Sequence, residues 1–311
     1  MKYSFVLPAY KAQFLKEAID SILSQTYTDF ELIIVNDASP EDLDSVVNLY
    51  NDERIQYYVN NKNIGGKNLV AQWNYSISLS NAEYLILASD DDIYAEDYLL
   101  ELDRLVQKYP NANVFRPRVR YIDEEGSCIG QSGYLKEFCS GLEYMEAWIR
   151  GWACTGIPFY LFKRDALMRI GGFADYPIGW FSDDASVLRL SENGIISTPQ
   201  ILFSFRLSGV SISTRQNSYA DLMKKIDASE KFYYEVINYI KNQQATDADM
   251  VCVKEFLLKE FPLYMQNNKI RGQLFNSSLL NSTRFLSRVI KMEFISPKTI
   301  FRYYLTRILF G

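Results

Sequence analysis

The chain has 311 residues and not one histidine. The lack of an imidazole excludes catalytic triads that use histidine as the general base. It also excludes zinc sites of the His-x-x-x-His kind and every other metal site that depends on a histidine ligand. Any metal site in this protein therefore needs other donor atoms.

Cysteine and long apolar runs are scarce as well. The four cysteines include no Cys-x-x-Cys pair and indicate no disulfide framework, so we expect free thiols in a reducing compartment. No apolar run approaches the roughly 20 residues that a membrane-spanning helix needs. Because a strand pattern begins directly after Met1, we expect no signal peptide and a cytoplasmic location.

Charge is distributed unevenly along the chain. The net charge of -5 argues against nucleic acid as a partner. From Lys269 onward, however, eight basic residues accompany a single acidic one, which gives this segment a charge of +7. Aromatic residues lie among these cations, a composition that suits an interfacial helix at the inner face of an anionic membrane. A solvated helix docked on the protein body is the alternative.

The pattern of apolar residues predicts an α/β fold. The first half alternates strand and helix patterns, with predicted strands over 3–7, 31–35, 55–59 and 84–88. This rhythm is typical of a mostly parallel, doubly wound, Rossmann-like sheet. Residues 114–130 look like a hairpin, and further strand candidates are Pro158–Phe162 and Gln200–Phe205. Only helical periods follow Ser218, so we expect one domain over 1–215 and a helical C-terminal region over 216–311.

Three consecutive carboxylates, Asp90, Asp91 and Asp92, end the apolar strand over 84–88. Like charges repel one another, so such a cluster is costly unless a cation accompanies it. Carboxylate oxygens suit Mg²⁺ or Mn²⁺, and such an ion commonly carries phosphate. The sequence therefore indicates a metal-dependent enzyme that acts on a phosphorylated small molecule, with capping of the next helix as the alternative role of these residues.

Further candidate residues follow other strands. Pro8, Ala9 and Tyr10 come after the first predicted strand, and Asp37 comes after the second. In doubly wound sheets, ligands bind beyond the carboxyl ends of the strands, where all these residues are expected to lie. Asp37 would otherwise be an ordinary turn residue.

The order of these motifs resembles that of the family 2 glycosyltransferases, which have the GT-A nucleotide-sugar-binding fold. Each motif alone is weak, but the ordered series is specific, and it covers residues 1–215. The matching segments are Ser4–Tyr10, Ser24–Tyr27, Phe30–Ser39, Asn63 with Gly65, Asp91–Tyr94, Gly171–Phe173, Ser182–Asp184 and Arg206.

The resemblance implies a nucleotide-sugar donor, usually a UDP-sugar, and assigns roles around it. Asp37 would hydrogen-bond the base, with the loop at residues 8–10 packed around it. Asp90 would reach the ribose, while Asp91, with Asp92 beside it, would bind Mn²⁺ or Mg²⁺ on the diphosphate. Apart from these family roles, Arg206 is a candidate to contact the diphosphate as a fixed cation, with a surface ion pair as the alternative.

The resemblance also implies an inverting reaction. Asp184, with Asp183 beside it, would be the general base that deprotonates a hydroxyl of a glycan or glycolipid acceptor. A helix cap is the alternative for both residues.

A sugar-stacking platform has three aromatic candidates, Trp152, Trp180 and Tyr160, with core packing as the alternative.

Two departures from the family pattern keep other functions open. Ser89 stands where an aspartate is often found, and Asn36 stands where a first aspartate is common. A catalytically decayed nucleotide-sugar-binding protein is therefore the main alternative. A nucleotidyltransferase is another, although that class usually has a glycine-rich basic loop after the first strand, which residues 8–11 do not provide.

Overall fold

The computed structural model describes residues 1–207, 218–245, 247–275 and 285–310. These residues form two compact units. The first consists of residues 1–175 and 182–207, and the second of residues 176–181 with the described residues from 218 onward. The predicted boundary between residues 215 and 216 lies outside the described residues.

The first unit begins with the predicted alternation of strands and helices. Its elements are β1 (Tyr3–Ala9), α1 (Leu15–Leu23), β2 (Phe30–Asn36), α2 (Leu43–Val47), β3 (Ile55–Val59), α3 (Leu69–Ser78), β4 (Tyr84–Leu87), β5 (Ile93–Tyr94) and α4 (Tyr98–Lys108). Asp42 and Asn68 cap α2 and α3 by accepting hydrogen bonds from the backbone N–H of Ser45 and Ala71.

The second half of this unit is more irregular. Its elements are β6 (Val114–Ile122), β7 (Cys128–Gln131), β8 (Phe138–Cys139), α5 (Gly141–Ile149), β9 (Leu161–Lys163), α6 (Arg164–Arg169), α7 (Ser182–Leu190) and β10 (Ile195–Arg206). The predicted hairpin is present, since β7 pairs antiparallel with β6. The strand predicted over Pro158–Phe162 is instead a 3₁₀ turn at Ile157–Phe159 followed by β9, because proline cannot donate to a strand ladder.

A single sheet runs through this unit, in the order β3-β2-β1-β4-β9-β6-β10-β5, with β7 on β6 and β8 on β10. The first four strands are parallel to one another, as predicted. The later strands mix orientations, because β9 runs antiparallel to both β4 and β6 while β10 runs parallel to β6. Strands β1, β2 and β4 are almost entirely buried, as expected of a parallel sheet covered on both faces.

The second unit is helical. It contains α8 (Tyr219–Asn242), α9 (Ala248–Tyr264), a π-helical turn (Met265–Ile270), α10 (Arg271–Phe275), a helical segment over 285–289 and α11 (Pro297–Phe310). Aromatic rings build its core: Phe232 stacks on Phe181 with 4.4 Å between ring centroids, and Tyr233 stacks on Phe294 at 4.2 Å. No helix in the described part of the chain is long and apolar enough to cross a membrane.

Candidate active site

The polar residues predicted to share one edge of the sheet do share it. Pro8 and Ala9 are the last two residues of β1, Asp37 follows β2 directly, and the three carboxylates follow β4. Because β1 is paired in parallel with both β2 and β4, these three chain segments leave the sheet on the same side. The backbone N–H of Asp37 donates to the carbonyl oxygen of Ala9 at 3.1 Å, which fixes two of the segments to each other.

Asp90 joins the loop after β1 to the loop after β4. Its Oδ2 atom accepts hydrogen bonds from the backbone N–H groups of Tyr10 and Lys11, both at 2.8 Å. Burial raises the pKa of Asp90, although these two hydrogen bonds oppose the rise. The contact places Tyr10 beside the carboxylates, as the predicted nucleotide site requires, and the ribose contact of Asp90 stays a prediction.

Asp91 and Asp92 have different surroundings although they are neighbours in sequence. Asp91 is half-buried, and its Oδ1 accepts a hydrogen bond from the Ser89 hydroxyl at 2.5 Å. Asp92 is fully buried; its Oδ1 accepts from the backbone N–H of Arg206 at 2.9 Å, and its Oδ2 makes no hydrogen bond within the described ranges. Burial and the charge of Asp91 raise the pKa of Asp92 well above its usual value.

The positions of Asp90, Asp91 and Asp92 can be compared with both of their predicted roles, which are metal binding and capping of the next helix. Helix α4 begins with Asp97 as its N-cap, so the three carboxylates do not occupy the capping position. Among the described residues, no three acidic or cysteine side chains converge as a ready-made metal cluster. The half-buried Asp91 carboxylate and the adjacent Ser89 hydroxyl are nevertheless hard oxygen donors of the kind that Mg²⁺ and Mn²⁺ accept.

The predicted diphosphate contact would suggest an Arg206 side chain that extends into solvent, but the side chain is buried. It is 2% exposed, and its Nε donates to the Asp91 carbonyl oxygen at 2.9 Å. Its Nη1 donates to the carbonyl oxygens of Asp123 and Glu124, and its Nη2 donates to Glu17 Oε2 at 2.6 Å. The observed contacts therefore make Arg206 a positioning residue beneath the carboxylates, while direct diphosphate binding stays a prediction.

Asp37 holds a loop in place. Its Oδ1 accepts from Asn60 Nδ2 at 2.7 Å and from the N–H of Ile64 at 2.8 Å, and its Oδ2 accepts from the N–H of Gly65 at 2.7 Å. A Cβ atom at Gly65 would lie only 2.9 Å from Oδ2, so the approach depends on glycine there. Asp37 is 5% exposed, and its predicted contact with a nucleotide base stays a prediction.

Asp183 and Asp184 form part of the first turn of α7. The helix begins at Ser182, so neither aspartate stands before the first helical residue, where an N-cap lies. Asp184 is 9% exposed, and its backbone N–H donates to Asp183 Oδ1 at 2.9 Å. The assignment of Asp184 as the general base remains a prediction.

A buried polar cluster that the sequence did not reveal lies near Asp184. The Arg116 guanidinium, on β6, donates to the Tyr144 hydroxyl at 2.8 Å and to the Cys154 carbonyl oxygen at 2.7 Å. The Tyr144 and Tyr160 hydroxyls are 2.5 Å apart. Burial raises the pKa of Tyr144 to about 12 and raises that of Tyr160 well above its usual value, and the negative charge of Asp184 contributes to both shifts.

The predicted stacking platform is only partly accessible. Trp152 is 53% exposed, but Tyr160 is fully buried and is therefore a core residue. Trp180 belongs to the helical unit, where the Lys225 ammonium lies 4.2 Å from its ring. Of the three aromatic residues, Trp152 alone presents a large exposed surface in the first unit.

The family model of Glycosyl transferase family 2 matches residues 4–171, more than half of the chain. The chain is a member of this family. The match includes the segments at residues 8–10, Asp37 and Asp90–Asp92 that carried the resemblance, which is thereby confirmed. It does not extend to Asp184 or to Arg206.

The curated relatives of this family 2 chain match it over a limited length. An uncharacterized glycosyltransferase from Rickettsia typhi is 32% identical over 112 residues, which cover 36% of this chain and 34% of the relative. An uncharacterized glycosyltransferase from Rickettsia felis is 33% identical over 130 residues, 40% of this chain and 21% of that protein. The match thus spans about a third of the length of the first relative and about a fifth of the length of the second.

Solved structures extend the similarity of the fold to nearly the whole chain. Residues 1–349 of TarS from S. aureus, in complex with UDP-GlcNAc, superpose with a TM-score of 0.64 at 15% identity, over 98% of this chain and 92% of that TarS fragment. A mannosyltransferase from Pyrobaculum calidifontis, in complex with GDP-Man and Mn²⁺, gives 0.54 at 15% identity, over 99% and 86%. The predicted GT-A α/β fold with a helical C-terminal part is confirmed.

Proposed function

We propose that this chain is a metal-dependent, inverting glycosyltransferase that transfers a sugar from a UDP-sugar to a hydroxyl group of a glycan or glycolipid. The observation that carries the proposal is the contact of Asp90 Oδ2 with the N–H groups of Tyr10 and Lys11. This contact unites the first loop with the acidic segment at the sheet edge where α/β proteins bind nucleotides. The complex of TarS with UDP-GlcNAc supports a UDP-sugar as the donor.

A divalent ion fits this proposal through Asp91. Its half-buried carboxylate, together with the Ser89 hydroxyl, would hold Mn²⁺ or Mg²⁺, and the bound ion would neutralise charge that develops on the leaving diphosphate. Asp92 would add a second carboxyl group from the buried side of the segment. The Mn²⁺ complex of the mannosyltransferase supports the choice of ion.

The chain's own residues supply the remaining steps. Asp37 would face the donor from the end of β2, while Arg206 holds the Asp91 carbonyl oxygen through Nε and the Asp92 carboxylate through its backbone N–H. Asp184 accepts the proton of the acceptor hydroxyl. As it does so, the oxygen of that hydroxyl bonds to the anomeric carbon of the donor sugar, and the bond from that carbon to the diphosphate breaks. A single displacement of this kind inverts the configuration at the anomeric carbon.

The contacts of the two atypical residues favour an active enzyme over a decayed one. The Ser89 hydroxyl is hydrogen-bonded to the Asp91 carboxylate rather than leaving it unsupported. Asn36 Oδ1 accepts from the N–H of Ser39 at 2.9 Å, and its Nδ2 donates to the Tyr57 hydroxyl at 3.0 Å. Ser89 thus supports Asp91 directly, and Asn36 holds the turn of the chain that contains Asp37, which is compatible with catalysis.

The proposal includes peripheral contact with an anionic membrane through α11. Phe301, Leu305 and Ile308 are 58%, 42% and 49% exposed, and their spacing places them on one side of the helix. The exposed Lys298 and Arg302 accompany this apolar stripe. Apolar side chains at the acyl boundary with cations at the headgroups are the combination that holds a helix in a membrane interface.

Thermal unfolding in the presence of UDP, GDP, CDP and dTDP, each with and without Mn²⁺, tests the donor assignment. A nucleotide at a hundredfold excess over its Kd adds about 2.7 kcal/mol to the free energy of unfolding. For a protein of this size the unfolding temperature then rises by roughly 5–10 °C. A Mn²⁺-dependent rise with UDP supports the proposal, whereas no rise with any of the four nucleotides contradicts it and favours the decayed alternative.

A further inference from the structure

Two loops of the first unit that are in contact with each other each carry an exposed aromatic ring, next to the segment that leads to the buried Arg116 cluster. Tyr134 is 68% exposed and follows β7, while Trp152 is 53% exposed and follows α5. A Cβ atom at Gly133 would lie 2.6 Å from the Trp152 carbonyl oxygen, so the backbones of the two loops are in direct contact.

The Tyr134 ring is fixed from one side. The Arg118 guanidinium lies 3.8 Å from the ring centroid and is itself held by two hydrogen bonds to the Ser132 carbonyl oxygen, at 2.9 and 3.3 Å. Arg118 is 8% exposed and forms no ion pair with a carboxylate of the described residues. The ring therefore covers a buried cation with one face and presents the other face to water.

Trp152 is held in a similar way. The Arg150 guanidinium lies 5.3 Å from its ring centroid, and Arg150 Nε donates to Glu146 Oε1 at 2.9 Å. An aromatic ring that is already immobilised loses little conformational entropy when a ligand binds to it. Two such rings on adjoining loops offer a preorganised binding surface.

We propose that Tyr134 and Trp152 form a stacking platform for a sugar ring of the acceptor saccharide. The negative face of an aromatic ring attracts the partly positive C–H groups on the apolar face of a pyranose. The position suits an acceptor, because Trp152 lies two residues before Cys154, whose carbonyl oxygen binds Arg116 in the cluster with Tyr144. This inference rests on the proposed function and deepens it by naming the surface that selects the acceptor.

Saturation-transfer NMR with maltotriose, mannotriose and tri-N-acetylchitotriose tests the platform. At least one of the three trisaccharides should bind the unaltered protein, with the strongest saturation on its ring C–H protons. Tyr134→Leu and Trp152→Leu should each weaken that binding about tenfold, since aromatic stacking contributes on the order of 1 kcal/mol beyond its area. Tyr134→Phe keeps the ring and should bind almost normally.

Tyr75→Leu is the matched control, because Tyr75 is 40% exposed on α3, away from both loops in sequence. The proposal is wrong if none of the trisaccharides binds, or if binding survives Tyr134→Leu and Trp152→Leu. The shift in unfolding temperature with UDP and Mn²⁺, measured on the same samples, should be unchanged in all variants. A missing shift in the unaltered protein would instead contradict the proposed donor site, so the two failures are distinguishable.

Discussion

The guanidinium of Arg206 donates from Nε to the carbonyl oxygen of Asp91 at 2.9 Å, although 114 residues separate them in the sequence. The same side chain also donates to the carbonyl oxygens of Asp123 and Glu124. One buried cation therefore connects the end of β10, the loop after β6 and the acidic segment after β4. The conformation of that acidic segment depends on the last strand of the sheet.

Arg206→Lys should destabilise the protein markedly. A lysine ammonium has no planar fork and cannot reach all of the acceptors, so the carbonyl groups of Asp91, Asp123 and Glu124 would not all keep a donor. We expect a loss of about 3 kcal/mol in the free energy of unfolding, measured by urea denaturation. Glu17→Gln is the control: it removes only a partner whose side chain is 56% exposed, and it should cost less than about 1 kcal/mol.

Asp91→Ala should abolish the Mn²⁺-dependent stabilisation by UDP, because it removes the proposed carboxylate ligand. Asp165→Ala is the matched control, since the Asp165 side chain is 89% exposed and only loosely paired with Arg164. The measurement is the unfolding temperature with UDP, with and without Mn²⁺. If the shifts in unfolding temperature are equal for Asp91→Ala and the unaltered protein, residues 90–92 have a structural role only.

Asp184→Asn should lower the rate of sugar transfer at least about a hundredfold, because an amide cannot accept the acceptor proton. The nucleotide-induced rise in unfolding temperature should persist, since Asp184 is not assigned to the donor. The rate is measured as UDP release from the UDP-sugar. Asp183→Asn should retain most of the activity, and a variant Asp184→Asn with full activity would refute the assignment of the base.

Gly65→Ala and Gly272→Ala should have opposite effects on stability. The Cβ added at Gly65 would lie 2.9 Å from Asp37 Oδ2, an atom of a carboxylate held by three hydrogen bonds, so the loop must shift. We therefore expect Gly65→Ala to lower the free energy of unfolding by about 1–2 kcal/mol. Gly272 is in α10, and a Cβ added there would meet nothing within 4 Å. Alanine at this position should therefore raise the free energy of unfolding by about 0.5–1 kcal/mol. Denaturant unfolding of both variants gives the two signs directly.

Phe301→Ser combined with Leu305→Ser should reduce binding to vesicles that contain phosphatidylserine. The substitutions remove exposed apolar area from α11 without touching its cations. Vesicle co-sedimentation measures the effect, and Val251→Ser is the control because it removes an apolar side chain of 42% exposure from α9. Equal sedimentation of the double variant and the unaltered protein would contradict the membrane proposal.

The sequence predicted those elements whose signals are local. The bounds of β3 match the predicted strand over 55–59, and β6 begins at Val114, where the predicted hairpin begins, because runs of β-branched and aromatic residues are flanked there by turn residues. Helix α5 was missed although Ser140 and Glu143 form a capping box at its start, a pattern that the sequence displays.

Other features depend on pairings between distant parts of the chain. Strand β5 has two residues and exists because it pairs with β10, and β9 runs antiparallel to β4 across about seventy intervening positions. In the candidate site, the aspartates and the sheet edge were predictable from the residues that follow each strand. The buried position of Arg206 and the Arg116 cluster were not, because their partners are mostly carbonyl groups and hydroxyls that sequence spacing does not bring together.

The three hydrogen bonds at Asp37 have a kinetic consequence. An ionised carboxylate offers about four lone-pair positions, and the 60–65 loop already uses three of them. A nucleotide base that donates to Asp37 therefore has one position available, and a second donor must displace the loop. Association with a singly donating base should be fast, while any base that needs both oxygens should bind in two phases, the slower of which reports the opening of the loop.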